Sequence, residues 1–367
     1  MSEMQVIPEP GFPSRSEERA AVPAPVSSGQ ASLCVLLAGH RAMRPGISVA
    51  HDLGIPVAAL PIDADRSLAE AWDEAAEAAS IARRRLLALT HASERPYFER
   101  SKVAGRGETS AAGESRITHA DEPREGLLLC VDRADHRGAA GTVADLWDAE
   151  MEVAKHASAG AFVIEASAWP GFDLRGFAAA VEAARDGIIR TSGADPERPW
   201  AFVGAAPAEE GADELRPAGV FYLSAGALRL VPRVGYFDLK EQLLAAIVGA
   251  GGRVQSWIGA RRFARVVGRE SYLEAIRMRL EAGGRSRADD LILESGAEIR
   301  GSTIACRGVH MGERSLVVDS AILPGARIGA GAIVARSVVP PGALVPQGAF
   351  VVDQVFASFT GTPGGSR

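Results

Sequence analysis

Side chains able to do chemistry are sparse in this sequence. The three cysteines, Cys34, Cys130 and Cys306, share no CxxC or CxxxC spacing, so they signal neither a zinc site nor a disulfide framework and read as small buried residues. Lysine occurs only at Lys102, Lys155 and Lys240. An apolar run ends in Leu37-Ala38-Gly39-His40-Arg41-Ala42-Met43-Arg44, a glycine turn in which Arg44 is either a phosphate contact or a solvated loop arginine. A second glycine segment, Arg137-Gly138-Ala139-Ala140-Gly141-Thr142, is either a ligand loop or the loop that opens the next helix. Lys240 and Glu241 follow Asp238, a helix N-cap by residue type, and either face a pocket or form a surface pair.

These residues need elements to position them. Residues 1–31 are rich in Pro, Ser and Glu and cannot bury enough to offset ordering, which predicts a flexible tail. Ser32–Leu37, Gly126–Val131, Ala161–Glu165 and Gly219–Ser224 read as strands, three of them continuous apolar runs of buried-strand length. Leu53–Pro61 reads as a short strand or loop. A single helix is expected from Ser67 to Leu89, opened by Ser67 with Glu70 three residues later, and further helices over Ala140–Ala157, Phe172–Gly187, Gly235–Gly251 and Glu270–Ala282. Residues 99–122 are polar and Gly/Ser/Glu-rich, the composition of a mobile loop. Strands alternating with helices imply an α/β domain over 32–285, with a mostly parallel sheet of about seven strands covered on both faces.

From Ile292 the period changes. Glycines at 325, 331, 342 and 348, with Ser337 at the intervening step, accompany apolar residues at 322, 328, 333/334, 339, 345 and 351. A spacing of six, with one slip to five, is the hexapeptide repeat of a left-handed parallel β-helix, expected over 286–353 with about three coils and a C-terminal tail over 354–367. Its open end predicts a cap made by Val355, Phe356 and Phe359, or a contact with another subunit. His310 is the sole histidine among the hexads. Hexapeptide acyltransferases use one histidine as a base, so acyl transfer is a third functional class to weigh against a surface turn residue.

Together these pieces resemble the sugar-nucleotidyltransferases (NDP-sugar pyrophosphorylases), especially proteins similar to mannose-1-phosphate guanylyltransferase. Leu37–Arg44 lies where the family has LAGGxGTR, and Arg137–Thr142 where it has a GTAGA-like loop. Ala218–Leu223 is similar to the NAGIYLF strand, Gly235–Gln242 to the YFDLKEQ helix start, and Glu270–Ala275 to ESYLEA. The resemblance implies a Rossmann-like nucleotidyltransferase fold. It also implies nucleotide contacts at Ala38, Gly39, Gly138, Ala139, Ala140 and Gly141, sugar contacts at Gly219, Lys240 and Glu241, and a catalytic Arg44. In such enzymes a sugar 1-phosphate attacks the α-phosphate of a nucleoside triphosphate and releases pyrophosphate, with Mg²⁺ held by two aspartates.

Several of the expected groups are absent here. His40, Ala42 and Met43 replace loop residues that should be glycine or threonine, and no lysine follows Arg44 in the next fifteen positions. The chemistry needs no general base at His40. Ser167 and Arg265 stand at the two metal positions, and Pro217 at the sugar-reading Asn. Glu165, on the same strand face as Ser167, is the one carboxylate that could substitute as a ligand. The expectation is a catalytically impaired relative that binds a nucleotide or nucleotide sugar, or regulates an active relative, with no cofactor, and with Mg²⁺ only if the site is active. The alternative is a working pyrophosphorylase with an altered site.

A formal charge of −6 carries no basic footprint for nucleic acid or anionic lipid, and no apolar stretch approaches membrane-spanning length. The expectation is a cytoplasmic protein with no nucleic-acid or membrane partner that forms a homo-oligomer or associates with an active relative.

Overall fold

The computed structural model describes residues 33–38, 47–82, 84–89, 92–99, 127–131, 137–154, 160–170, 173–191, 198–207, 214–258 and 263–357. Expectations for the N-terminal tail, for 99–122 and for Phe359 lie outside them. The chain divides into two compact units, one built from 1–39 and 72–263, the other from 40–71 and 264–367.

The first unit is a mixed α/β structure. Its strands are β1 (Leu33–Leu37), β2 (Arg84–Leu89), β3 (Leu127–Val131), β4 (Gly160–Glu165), the short β5 (Ala168–Pro170), β6 (Trp200–Pro207), β7 (Leu215–Ser224) and β8 (Arg253–Ile258). Seven of them form one sheet in the order β3-β2-β1-β4-β7-β6-β8. All neighbours are parallel except β7, which runs against both β4 and β6. Alternation along β1 and β4 sends Leu33, Val35 and Val163 into a core with Val143 and Trp147 of helix Gly138–Ala154. Phe162 instead meets Phe177 of helix Leu174–Thr191, with ring centroids 6.1 Å apart, and Phe177 also packs on Phe202 and Trp257. Both sheet faces carry a packed layer.

One expected helix is two elements. The helix over Leu68–Ala78 opens on the expected capping box, Ser67 Oγ accepting from the Glu70 amide while Glu70 accepts from the Ser67 amide. It stops at Ser80, which adopts φ +53°, with the Ile81 amide donating back to the Ala76 carbonyl. That is a left-handed helix stop built on serine instead of glycine. The Arg84–Leu89 stretch is then free to pair with β1 and β3 as a central strand, where burial outweighs its helical composition.

The second unit takes in residues 264 and 265 of β9 (Phe263–Arg265) and contains a β-helix-like stack of short parallel strands. In chain order these are β10 (Ile292–Leu293), β11 (Glu298–Arg300), β12 (Ile304–Ala305), β13 (His310–Met311), β14 (Leu316–Val318), β15 (Ala321–Ile322), β16 (Arg327–Ile328), β17 (Ile333–Ala335), β18 (Val338–Val339), β19 (Leu344–Val345) and β20 (Phe350–Val352). They stack as three sheets, β10-β13-β16-β19, β11-β14-β17-β20 and β12-β15-β18, so each turn of chain has three sides. With four strands on two faces, the stack has about four turns rather than the three expected. The apolar hexad positions Ile322, Ile328, Val334, Val339, Val345 and Val351 are all buried inside it.

The slip to five has a structural cause. Paired strands lie 18 residues apart across the first turn on two faces and 17 apart elsewhere, one short of three hexads. The missing residue belongs to one corner, where Asp319, Arg336 and Asp353 take left-handed φ values of +48°, +45° and +54°. Arg336 therefore makes the turn that the sequence assigned to Ser337. Ser320 and Ser337 are buried beside it. The Ser337 amide donates to Ser320 Oγ (3.1 Å) and the Gln354 amide to Ser337 Oγ (3.2 Å), a hydroxyl ladder that satisfies the tightened corner. At the C-terminal end Val355 bridges to Val338 and Phe356 packs against the stack, so both cap the coil as expected.

Asp63 organises the other part of this unit. It is fully buried and accepts from Arg279 Nε at 3.0 Å and from the Asp65 and Arg66 amides, tying residues 61–66 to helix Arg269–Glu281. Nearby, the Tyr272 hydroxyl donates to the Pro61 carbonyl. Asp63→Ala removes a buried acceptor shared by the Arg279 guanidinium and two backbone amides, so urea denaturation should show a loss of about 3 kcal/mol. Arg66→Ala, at the half-buried edge of the same cluster, should cost under about 1 kcal/mol.

Candidate functional site

The strand order creates a switch point in the first unit. From β1 the chain moves outward through β2 to β3, then returns to the other side of β1 as β4. The connections leaving the carboxyl ends of β1 and β4 therefore diverge, and open α/β sheets bind ligands at such a switch point. Ala38 follows β1, buried, its amide donating to the Ala88 carbonyl, while Gly39 and Arg44 lie outside the described residues. Glu165 ends β4, and the next amide, of Ala166, donates to the Leu37 carbonyl, which fixes this side of the switch point.

A bulge brings a third strand close. Between β6 and β7 the register jumps from Val203↔Phe221 to Ala205↔Pro217. Gly219 sits in that bulge with φ +82°, and a Cβ there would lie 2.6 Å from the Ala168 Cβ and 3.3 Å from the Glu165 Cβ. Only glycine lets β7 approach the turn after β4 this closely.

Lys240 reaches the same point from a helix. Asp238 caps that helix as expected, one carboxylate oxygen accepting from the Lys240 and Glu241 amides at 2.7 and 2.8 Å. The first turn, Leu239–Leu243, is a π-helix anchored by buried Leu239 and Leu243. It aims Lys240 Nζ at Glu165 Oε1, 2.6 Å away, and 5.9 Å from the centre of the Phe221 ring. The two charged side chains are largely screened from water, 17% exposed for Glu165 and 33% for Lys240. Of the sugar-contact residues implied by the resemblance, Gly219 and Lys240 thus converge on Glu165, whereas the Glu241 side chain is exposed. The Glu165–Lys240 pairing itself has no signature in the sequence, because its members are remote in the chain and each can be singled out only by itself.

The second glycine segment is occupied by the fold. Gly138–Gly141 forms the first turn of helix Gly138–Ala154, and the Ala140 amide donates to the Phe237 carbonyl at 3.2 Å. Gly138 has φ +72°, and a Cβ there would lie 2.7 Å from that carbonyl oxygen, so close backbone packing accounts for the glycine. Ala139 is half-buried and Ala140 fully buried. Arg137, buried, holds Asp145 through two nitrogens (3.0 and 2.8 Å) and donates to the Pro232 and Gly235 carbonyls, a brace for the 232–237 loop.

Among the described residues, those at the positions where the resemblance implies magnesium ligands do not fit that ion. Ser167 follows β4 in a turn, Arg265 lies in β9, and Glu165, the remaining carboxylate, is engaged by an ammonium group. Among the described residues no three His, Cys, Asp or Glu side chains come together as a metal site. His310 lies in β13, not in a turn, and its Nε2 pairs with Glu294 Oε1 at 2.7 Å. No helix among the described residues is long and apolar enough to cross a membrane.

Neither a protein-family model nor a curated protein matches the sequence.

The cysteines offer no nucleophile. Cys34 and Cys306 are buried and Cys130 half-buried, and burial pushes the Cys130 thiol up to about 11 and the other two higher still. At about pH 8 a thiol reagent should therefore consume less than about one equivalent in the native protein. All three cysteines should react after unfolding. Full reaction in the native state would contradict their placement.

Proposed function

We propose that this protein is a sugar-nucleotidyltransferase-like binding protein, one that takes up a nucleotide or nucleotide sugar without transferring it. The strand order, with a single antiparallel strand between β4 and β6, supports a nucleotidyltransferase fold, and the turns of 17–18 residues support a left-handed β-helix behind it. The observation that carries the reading is the Glu165–Lys240 pair at the switch point. Where the chemistry would require carboxylates free to hold a cation, this chain has a carboxylate already neutralised. A carboxylate and an ammonium side by side suit a neutral polyol, since one accepts from sugar hydroxyls and the other donates to them. Through such binding the protein would report nucleotide-sugar supply to an active relative.

Thermal unfolding with added ligands tests this. A nucleotide sugar at a hundredfold excess over its Kd adds about 2.7 kcal/mol, read as a rise of several degrees. The rise should be the same with Mg²⁺ or with a chelator, and should disappear in Lys240→Ala. No shift with any nucleotide or nucleotide sugar would overturn the reading, and a shift that requires Mg²⁺ would favour the working enzyme.

A further inference from the structure

The coil presents an outward face whose chemistry is its own complement. On the sheet β11-β14-β17-β20 the middle residue of each strand points into the core: Ile299, Val317, Val334 and Val351. The flanking residues point outward and stack by register into two columns, Glu298-Leu316-Ile333-Phe350 and Arg300-Val318-Ala335-Val352. Three of the four levels are wholly apolar, and Phe350 and Val352 are 72% and 41% exposed. The fourth is an ion pair, Arg300 Nε donating to Glu298 Oε2 at 2.7 Å. At the three apolar levels one column is bulky and the other slight.

We infer that this face binds the same face of a second copy, about a two-fold axis parallel to the coil axis. Such an axis exchanges the columns. Leu316 then meets the other copy's Val318, Ile333 its Ala335 and Phe350 its Val352, while Glu298 meets Arg300 twice. Every large side chain faces a small one and each charge faces its opposite. That is the self-complementarity an isologous contact requires. The reversed arrangement, with coil axes opposed, would seat Glu298 and Arg300 on Phe350 and Val352 and desolvate both charges for nothing. Four strands about 4.8 Å apart give a patch only about 14 Å tall, well short of the ~800 Å² per partner of a tight complex, so the patch is the centre of a weak, micromolar contact. The inference uses only the coil unit and stands apart from the nucleotide reading.

Sedimentation equilibrium of the full chain at up to about 100 μM should show a monomer–dimer equilibrium. Phe350→Asp, on an exposed position, should weaken association more than ~100-fold with unchanged circular dichroism, since the substitution enters the contact twice. Glu298→Arg should weaken it about tenfold by placing like charges opposite one another, and adding Arg300→Glu in the same chain should restore it. A monomer at all concentrations, association indifferent to Phe350→Asp, or a charge exchange that fails to rescue would each overturn the inference.

Discussion

Gly219→Ala should destabilise the α/β unit by about 3 kcal/mol and abolish ligand-induced stabilisation. Two costs combine. The residue holds φ +82°, which an L side chain adopts at a cost of about 1–2 kcal/mol, and its new Cβ would sit 2.6 Å from the Ala168 Cβ, where β7 cannot retreat without breaking its pairing with β4. Gly251→Ala separates the two. It carries a similar φ of +74° with nothing within 4 Å of the added atom, so it should cost only about 1 kcal/mol. Urea denaturation of both variants is the measurement. Equal losses would mean that the bulge does not clamp Gly219 against the Glu165 turn.

With GTP, mannose 1-phosphate and Mg²⁺ the chain should release pyrophosphate no faster than background. On the proposed reading Ser167 and Arg265 stand where nucleotidyltransferases of this type have their metal aspartates, and Glu165 is held by Lys240. For a chain of that kind, lacking the ion, a lysine after Arg44 and the glycine loop together would cost at least about three to four orders of magnitude in rate. A coupled pyrophosphate assay decides the matter. Release that rises with Mg²⁺ and vanishes in Glu165→Ala would make the protein an enzyme with an altered site.

Much of the fold is legible wherever pattern and burial agree. The hexads announce the coil because each apolar residue enters its core, and Asp238 and Ser67 are recognisable caps because their oxygens answer specific amides. The Arg84–Leu89 strand is not legible, since a helical composition runs into it and Ser80 breaks the helix without the usual glycine. β6 and β8 are not legible for a related reason. Short apolar segments such as Trp200–Pro207 become strands only through partners far away in the chain. At the site, Lys240 and Gly219 could be singled out one at a time. What joins them is a register jump in β7 and a π-helical turn, features set by tertiary packing. Arg137 and Gly138 show the converse: a glycine segment that reads as a ligand loop is a brace within the fold.

Phosphorus NMR of one sample tests binding without turnover most directly. The full chain is mixed with GTP, mannose 1-phosphate and Mg²⁺, and the spectrum is followed against the same mixture containing the Lys240→Ala variant. The expected result is broadening of the ligand phosphate resonances with the native chain, none with the variant, and no pyrophosphate signal over hours. A growing pyrophosphate resonance, or ligand lines as sharp as with Lys240→Ala, would contradict it.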